Sequence, residues 1–575
     1  MKKILAMFAV LVLTASAVCA NAAAPALPTG GVFYGAGSSA QFNTLALAAG
    51  NQIAGNALCG SNHWTKSNGA QLIDPRSGSI LPELGNIWIV WDNSTAPTIV
   101  CYYVSVDSIV GMRAYFANAT VHLLFPAGTA DGNSVPFLGG TAVALPQAVI
   151  NFVEGSTINF AATDIRPEDA LFASNRTLTA YGAMMNGRGF TGVGYQGLAA
   201  TPWLGVPIVS SVATTQANPV AYAWYYGDTD PITGAASRIH LELEIGAAPV
   251  LVLANTSNTA SGHLGDPTLA ITNINKRILN NVLLGNIDHI RDLSTVASGN
   301  LTTGDPALHV WIREPLSGTY NTMEFNVPNT NEQAGDFAQG PGRVTGQEAG
   351  INTLNTACAG LQTATGCPVE SGNPLYHIFG ANNSTRGRAI GTGQMITAVN
   401  TVADSIGYAF WGFSSFTTAK AGNLKYLTVD GVDPLFSTFN PNPAGTGALP
   451  QCTSTPCILP FDNIKNGSYP IWSKYRAVYD PTLGGLTVAP SIVYLAQLAS
   501  TSVYSDLVPA PAMKVFRSHF NQVVTFNGGG VQAFNGLYNG IPETGGDMGG
   551  MVLTIQSEQD FNNDTGGNEQ TQLKN

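Results

Sequence analysis

The sequence predicts an α/β protein with more than one lobe. Its 575 residues, 45% of them hydrophobic, can bury large cores but exceed the size of one ordinary domain. Four stretches run from an apolar, strand-like segment through a short polar turn into a segment with helical spacing. Repeated strand–turn–helix units are typical of α/β folds, in which ligands bind beyond the carboxyl ends of the strands.

The N-terminus predicts a secretory signal peptide, residues 1–22. It combines a basic start, an apolar stretch from Ile4 to about Leu13, and the A-x-A sequence Ala20-Asn21-Ala22. A membrane anchor is the alternative, but the apolar run is short for a span. A lipid on Cys19 is a second alternative, but Ser16-Ala17-Val18 is a poor acylation box. We therefore expect a periplasmic or secreted protein with no transmembrane segment after signal removal.

Composition and charge narrow the possible partners. Gly (64) and Pro (33) are frequent and charged residues are only 10%, which predicts many loops but stays below the level typical of disorder. Without Lys2 and Lys3 of the signal peptide, 22 basic side chains face 35 acidic ones, a formal charge of −13. The sequence has no basic patch of the kind that binds nucleic acid.

Six cysteines follow the signal peptide, and an even number in an exported chain predicts three disulfides. The local pairs Cys358/Cys367 and Cys452/Cys457 are the natural ones, which leaves Cys59 to pair with Cys101. Zinc binding is the alternative. Neither close pair has C-x-x-C spacing and the eight histidines are scattered, so the pattern favours disulfides over a metal site.

The four strand–turn–helix units carry polar turns in a consistent place. In chain order, the turns are Gly35–Ser39, Asp107-Ser108, Thr163-Asp164 and Ser317–Thr319, the last preceded by Arg313. An arginine, hydroxyl groups and helix N-termini each favour negative charge. Together they predict a site for a small oxyanion. The alternative is that Ser317 or Thr319 only caps its helix.

The ordered set of turns resembles the periplasmic phosphate-binding proteins of phosphate ABC transporters, in the type II periplasmic-binding-protein superfamily. The family's GAG-T-F, serine-rich, A-S-D and R-x-x-x-S-G-T segments correspond to Gly35–Ala40, Ser105–Gly111, Ala162–Asp164 and Arg313–Thr319. Further similarity lies in VLLGNIDHIRDL, SIGYAFWGF and YPIWSKYRAV, and the landmarks keep the family's order along the chain.

The resemblance implies two α/β lobes, joined by two crossing strands, that close on phosphate by a hinge motion. Lobe one would comprise residues 25–205 and 415–575, and lobe two residues 206–414. The first crossing would lie near VPIVSSV, residues 206–212. The chain is longer than typical members, so we expect long loop insertions. These would fall around residues 55–100, 170–200, 325–400 and 436–468.

A dehydrated phosphate needs a donor for every oxygen, and hydrogen bonds to charged groups contribute on the order of 1.5–3 kcal/mol each. Hydroxyls, turn amides and one guanidinium supply such donors here. The predicted phosphate-binding residues are Ser39, Ala40, Ser108, Asp164, Arg313, Ser317, Gly318 and Thr319. We expect no cofactor, no metal and no catalytic residue.

Asp164 is unusual among these residues because a carboxylate repels an anion unless that anion brings a proton. Hydrogen phosphate carries a proton at neutral pH and sulfate does not, so Asp164 is predicted to reject sulfate. The alternative is an ordinary helix cap.

The chain also departs from the family pattern at three positions. Ser39 stands where the family has a threonine, and Ala40 where it has a phenylalanine. Pro315 replaces the usual acid two places after the arginine, with Glu314 one place earlier.

Other motifs fail on their context. GRGFTG at residues 187–192 fits G-x-G-x-x-G but lies in a glycine-rich stretch without a flanking strand or helix. DFNNDTGGNE resembles a calcium loop, but its glycine comes one place late and its closing glutamate is absent. No catalytic motif is present.

The leading hypothesis is therefore an exported, non-enzymatic protein that captures inorganic phosphate for an ABC permease. The alternatives are a secreted interaction or matrix protein that reuses the fold, and a secreted phosphatase of related fold, for which the sequence offers no nucleophile or metal cluster. Fold alone does not separate these functions.

Overall fold

The computed structural model describes about half of the chain. It covers residues 33–50, 63–76, 85–92, 97–124, 144–165, 240–269, 271–284, 290–293, 306–313, 317–327, 384–389, 391–412, 422–437, 459–480 and 506–518, with short pieces and single residues elsewhere. Residues 1–22 and 206–212 lie outside it, as do Cys358, Cys367, Cys452 and Cys457. No helix in the described part is long and apolar enough to cross a membrane.

Strands and helices alternate along the described chain, which confirms the predicted α/β class. The strands are β1 Tyr34–Ser38, β2 His63–Asp74, β3 Ser79–Ile80, β4 Gly85–Trp91, β5 Val100–Val106, β6 Thr120–Leu123, β7 Thr141–Ala142, β8 Phe160–Thr163, β9 Leu241–Asn255, β10 Asn273–Ile274, β11 His309–Arg313, β12 His377–Phe379, β13 Ser384–Ala389, β14 Ser405–Phe410, β15 Leu424–Val429, β16 Trp472–Tyr479, β17 Val508–Pro509, β18 Val515–Ser518 and β19 Gln570–Leu573.

Seven α-helices are described. They are α1 Phe42–Gly50, α2 Ser108–Ala117, α3 Gln147–Gly155, α4 Lys276–Leu284, α5 Gly318–Asn326, α6 Gly391–Thr401 and α7 Asp462–Lys465. Single 3-10 turns occupy Ser39–Gln41, Ile290–Leu293 and Ala510–Ala512. Strands β1, β5 and β11 thus lead through short turns into α1, α2 and α5, as the sequence predicts.

The first sheet is built around β1, which pairs in parallel with β5 on one side and β8 on the other. β5 continues antiparallel to β4 and then β2, while β8 continues antiparallel to β16. Every residue of β5 is buried, as expected for a central strand covered on both faces. The second sheet has β11 parallel to β13 and β14, with β14 antiparallel to β9.

β9 belongs to both sheets. Residues 241–249 pair with β16 of the first sheet, and residues 250–255 pair with β14 and β15 of the second. At 15 residues, β9 is much longer than the usual strand of about five or six residues. This length lets it run from the first sheet into the second. Two α/β sheets that share one long strand match the predicted two-lobed arrangement, with β9 as a crossing strand. The lobe boundaries in residue numbers stay predictions.

Two ion pairs tie β16 to β9. Lys474 Nζ lies 2.6 Å from Glu244 Oε1, and Arg476 Nε lies 2.6 Å from Glu242 Oε1. Arg476 is fully buried on a strand with eight buried residues, so its charge requires this partner.

The predicted disulfide between Cys59 and Cys101 is present, with a Cα–Cα distance of 6.0 Å. Both residues are buried. The bond ties the segment after α1 to β5, which ends at one of the polar turns.

α2 lies directly on β1 because two glycines meet there. A Cβ on Gly111 of α2 would lie 2.3 Å from the Cα of Gly37, and a Cβ on Gly37 would lie 2.0 Å from the carbonyl oxygen of Ala162. Gly37 also has a φ of +142°, which residues with side chains rarely adopt. Every residue of α2 is buried, so its N-terminus is fixed relative to the ends of β1 and β8.

Gly111→Ala should destabilise the protein by roughly 1–3 kcal/mol, because the added methyl group has backbone atoms in its way. The control is Gly155→Ala, at the end of α3, where an added Cβ meets nothing within 4 Å. Helix propensity alone predicts that alanine stabilises either position by up to about 1 kcal/mol. Denaturant unfolding of both variants measures the difference, and a gain in stability for Gly111→Ala would contradict the close packing.

Candidate functional site

The three parallel strands of the first sheet bring three of the predicted turns to one edge. The register places Gly37 of β1 opposite Ser105 of β5 and Ala162 of β8. The turns that follow β1, β5 and β8 therefore lie next to one another at this edge. They begin with Ser39, Asp107-Ser108 and Asp164. All carry polar side chains that are buried or half-buried.

The second sheet supplies the fourth turn. β11 ends at Arg313, and α5 begins at Gly318 with Ser317 as its N-cap. The Ser317 hydroxyl accepts hydrogen bonds from the backbone amides of Thr319, at 3.1 Å, and Tyr320, at 3.5 Å. Ser317 thus performs the capping role that the sequence offered as its alternative function. The turn holds the start of α5 beside the end of β11.

The two sides of the site meet at Gly318. A Cβ on this glycine would lie 1.5 Å from Asp164 Oδ1 and 2.6 Å from the Ser108 hydroxyl, so only glycine allows the approach. The Ser108 hydroxyl donates a hydrogen bond to the same Asp164 oxygen. The carboxylate of Asp164 therefore lies against the N-terminus of α5, the end of a helix that favours negative charge.

Arg313 is fully buried and contacts both sides of the site. Its Nη1 donates to the Thr319 hydroxyl at 3.3 Å, within its own sheet. Its Nη2 lies 3.5 Å from Oδ1 of Asp107, which follows β5 of the first sheet. The Tyr408 hydroxyl accepts from the Arg313 backbone amide at 3.1 Å, which fixes the end of β11 against β14.

A second polar contact joins the two sheets at Ser39. Its hydroxyl lies 3.5 Å from the hydroxyl of Thr392, near the start of α6. The amide of Ala40 donates to the Ser38 hydroxyl at 3.2 Å, so in this arrangement that amide is used locally. The Tyr103 hydroxyl donates to the carbonyl oxygen of Ser38 at 2.7 Å and holds the turn in place.

Burial raises the pKa of Asp164 above its ordinary value, although hydrogen bonds from Ser108 and Ser38 and the charge of Arg313 oppose the shift. Desolvation is the dominant cause because the carboxyl group is completely buried. Nearby Tyr103 and Tyr475 are also fully buried, and desolvation raises the pKa of each phenol well above its usual value. Because of this burial, Asp164 holds its proton more readily than it would in water.

The structure brings most of the predicted residues together. Ser108, Asp164, Arg313, Gly318 and Thr319 form one buried group, with Ser317 behind it as a cap. Ser39 and Ala40 lie at the adjacent turn. Whether these residues bind an anion remains a prediction. Among the residues that the structure describes, no cluster of three histidine, cysteine or acidic side chains offers a metal site.

The predicted binding residues omitted Ser38 and Asp107, although both lie in predicted turns. Thr392 and Tyr408 were not predicted at all. Thr392 had a usable signal, because β13 leads through Gly391 into α6 in another strand–turn–helix unit. Asp107 stands at the N-cap position of α2, where an aspartate normally caps, yet its side chain makes no capping hydrogen bond. Its contact with Arg313 depends on how the two sheets meet.

Asp164→Asn should raise the stability of the phosphate-free protein near neutral pH. Because the pKa is higher in the folded state, the ionised carboxyl weakens the fold, and stability falls as pH rises from the ordinary value of 3.8 through the folded-state pKa. The gain should therefore disappear in acid. Thermal unfolding across pH measures it.

Asp92→Asn is a control with the opposite sign. Partial desolvation opposes the shift at Asp92, but hydrogen bonds from Thr98 and Ile99 outweigh it and lower its pKa. Its substitution should lower stability near neutral pH, and the loss should fade as pH falls. A pH-independent effect of Asp164→Asn would contradict the burial of an ionisable carboxyl group.

Comparison with known proteins gives structural similarity without sequence similarity. No protein-family model matches the chain, and no similar sequence is found among curated proteins. A phosphate-binding protein from Stenotrophomonas maltophilia is 12% identical, with 84% of this chain and 91% of that chain covered and a TM-score of 0.29.

Two further solved structures cover less of the chain. A phosphate ABC transporter substrate-binding protein from Clostridium perfringens, with bound phosphate, is 16% identical over 48% of this chain and 70% of that one, with a TM-score of 0.25. An ABC-type phosphate transport receptor from Vibrio cholerae is 14% identical over 44% and 66%, with a TM-score of 0.22. At such identities and TM-scores, what this chain binds must be argued from its own site.

Proposed function

We propose that this protein captures inorganic phosphate noncovalently between its two lobes. The observation that carries the proposal is the convergence of anion-favouring groups on one buried point between the sheets. The Ser108 hydroxyl, the Arg313 guanidinium and the N-terminus of α5 at Gly318 all surround it. In this arrangement the carboxylate of Asp164 occupies that point.

The position of Asp164 bears on how phosphate would enter. An anion bound at the α5 amides needs the space that Asp164 Oδ1 takes beside Gly318. The first and second sheets must therefore separate at this point, or the carboxylate must move. Both sheets share β9, so a rotation about this strand would open the cleft. Phosphate would then lie between Asp164 and the start of α5.

Asp164 would select the ligand by sharing a proton with it. The P–OH group of a protonated phosphate can donate a hydrogen bond to the carboxylate of Asp164. Sulfate has no proton to share at neutral pH, and it would face a carboxylate in a dry site. Phosphate should therefore bind and sulfate should not.

The cellular role follows from the N-terminal sequence and from the resemblance described above. A signal peptide at residues 1–22 would export the chain to the periplasm or beyond. There it would deliver phosphate to an ABC permease, without catalysing a reaction. Within the loop insertion expected around residues 55–100, the structure instead places β2, β3 and β4 of the first sheet.

Direct binding tests the proposal. Titration of the purified protein with inorganic phosphate should show saturable binding, and phosphate should raise the melting temperature because only the folded state has the assembled site. Arg313→Lys should weaken binding roughly tenfold to a hundredfold, since a point ammonium cannot reach Thr319, Asp107 and the ligand together.

Arg277→Lys is the matched control, because Arg277 is an exposed arginine on α4. It should bind phosphate like the wild type. A melting temperature that saturating phosphate leaves unchanged would favour the alternative of an interaction protein. Near wild-type affinity in Arg313→Lys would remove Arg313 from the site.

Asp164→Asn should lose much of the preference for phosphate over sulfate, because asparagine can donate through its amide to a fully deprotonated anion. Competition between the two anions at neutral pH measures the ratio of affinities. Asp433→Asn, at another buried carboxyl group, should retain the wild-type ratio. An unchanged ratio in Asp164→Asn would show that selectivity has another source.

A further inference from the structure

A buried ion pair spans the two sides of the candidate site. Asp107 directly follows β5 of the first sheet, and Arg313 is the last residue of β11 in the second. Oδ1 of Asp107 lies 3.5 Å from Nη2 of Arg313. Asp107 is 2% exposed and Arg313 is completely buried. The aspartate occupies the N-cap of α2 without making a capping hydrogen bond, and its carboxylate lies beside the arginine.

This pair changes the charge that a ligand meets. At 3.5 Å in a buried setting, Asp107 neutralises much of the field of Arg313. Strand β16, which pairs with β8, carries the cations Lys474 and Arg476, and each forms an ion pair with a glutamate of β9. Among the described residues, Arg313 is thus the cation that the site presents to an anion, and its charge is already balanced.

We propose that Asp107 determines the charge state of the bound anion: because it neutralises Arg313, the site favours singly charged dihydrogen phosphate over doubly charged hydrogen phosphate. This inference rests on the proposed function. A doubly charged anion would add two negative charges to a buried site whose arginine is paired, while a singly charged anion adds one and brings a second proton to share. Burial makes each unpaired charge costly.

Other titratable groups around the pair are few in the described part of the chain. Asp164, at the end of β8, is close enough to Arg313 for the arginine to affect its pKa. Tyr408 of β14 contacts the Arg313 backbone, and Tyr103 of β5 and Tyr475 of β16 lie near Asp164. Burial raises the pKa of both Tyr103 and Tyr475 well above the usual value, so neither titrates while phosphate takes its second ionisation.

The test is the phosphate affinity of the wild type and of Asp107→Asn, measured by calorimetry at fixed ionic strength from below to above the second ionisation of phosphate. Wild-type affinity should fall as the singly charged form disappears. Asp107→Asn leaves the charge of Arg313 unbalanced and should accept the doubly charged form. Its affinity relative to wild type should therefore rise with pH, on the order of tenfold across the range.

Asp433→Asn serves as the control for removing a buried carboxylate elsewhere, and its pH profile should parallel the wild type. A purely structural role of Asp107 would weaken binding equally at every pH, so parallel profiles for wild type and Asp107→Asn would overturn the inference alone. If Asp107→Asn fails to fold, a wild-type affinity that stays flat or rises with pH would also overturn it. Absence of phosphate binding by the wild type at any pH would overturn the proposed function as well.

Discussion

The contact between the Asp164 carboxylate and Gly318 is the constraint on which the rest of the site depends. It joins the end of a first-sheet strand to the start of a second-sheet helix, and it is possible only because residue 318 has no side chain. The Ser108 hydroxyl and the charge of Arg313 stabilise the carboxylate at this point. These are the groups that we propose bind the oxyanion. The oxygens of the Asp164 carboxylate lie where we propose that the oxygens of the ligand bind.

The surrounding fold fixes the groups on each side of this point. On the first side, the close packing of Gly111 on Gly37 fixes α2, and a disulfide at Cys101 anchors β5. On the second side, Tyr408 holds the end of β11. In the described part of the chain, polar contacts between the two sides run from Asp107 to Arg313 and from Ser39 to Thr392. Polar contacts of this kind suit a binding cleft, because a bound ligand can replace them with hydrogen bonds of its own.

The α/β class and the convergence of most candidate site residues could be predicted from the sequence because those features are local. Buried apolar runs such as β5 predict central strands, and polar turns between a strand and a helix mark the strand ends where parallel strands gather. The pairing of Asp107 with Arg313 was out of reach, since it depends on how two sheets meet. Sequence analysis noted Pro315 as the loss of an acid beside the arginine, whereas the fold brings an acid to Arg313 from the other sheet. Thr392 was missed although β13 leads into α6 in another strand–turn–helix unit.

The most direct test of the central claim is a crystal structure of the protein grown with inorganic phosphate. The account predicts one phosphate between Asp164 and the N-terminus of α5, with an oxygen on the Arg313 guanidinium and the Asp164 carboxyl group moved from its contact with Gly318. A structure in which saturating phosphate leaves Asp164 against Gly318, or binds only at the surface, would contradict it.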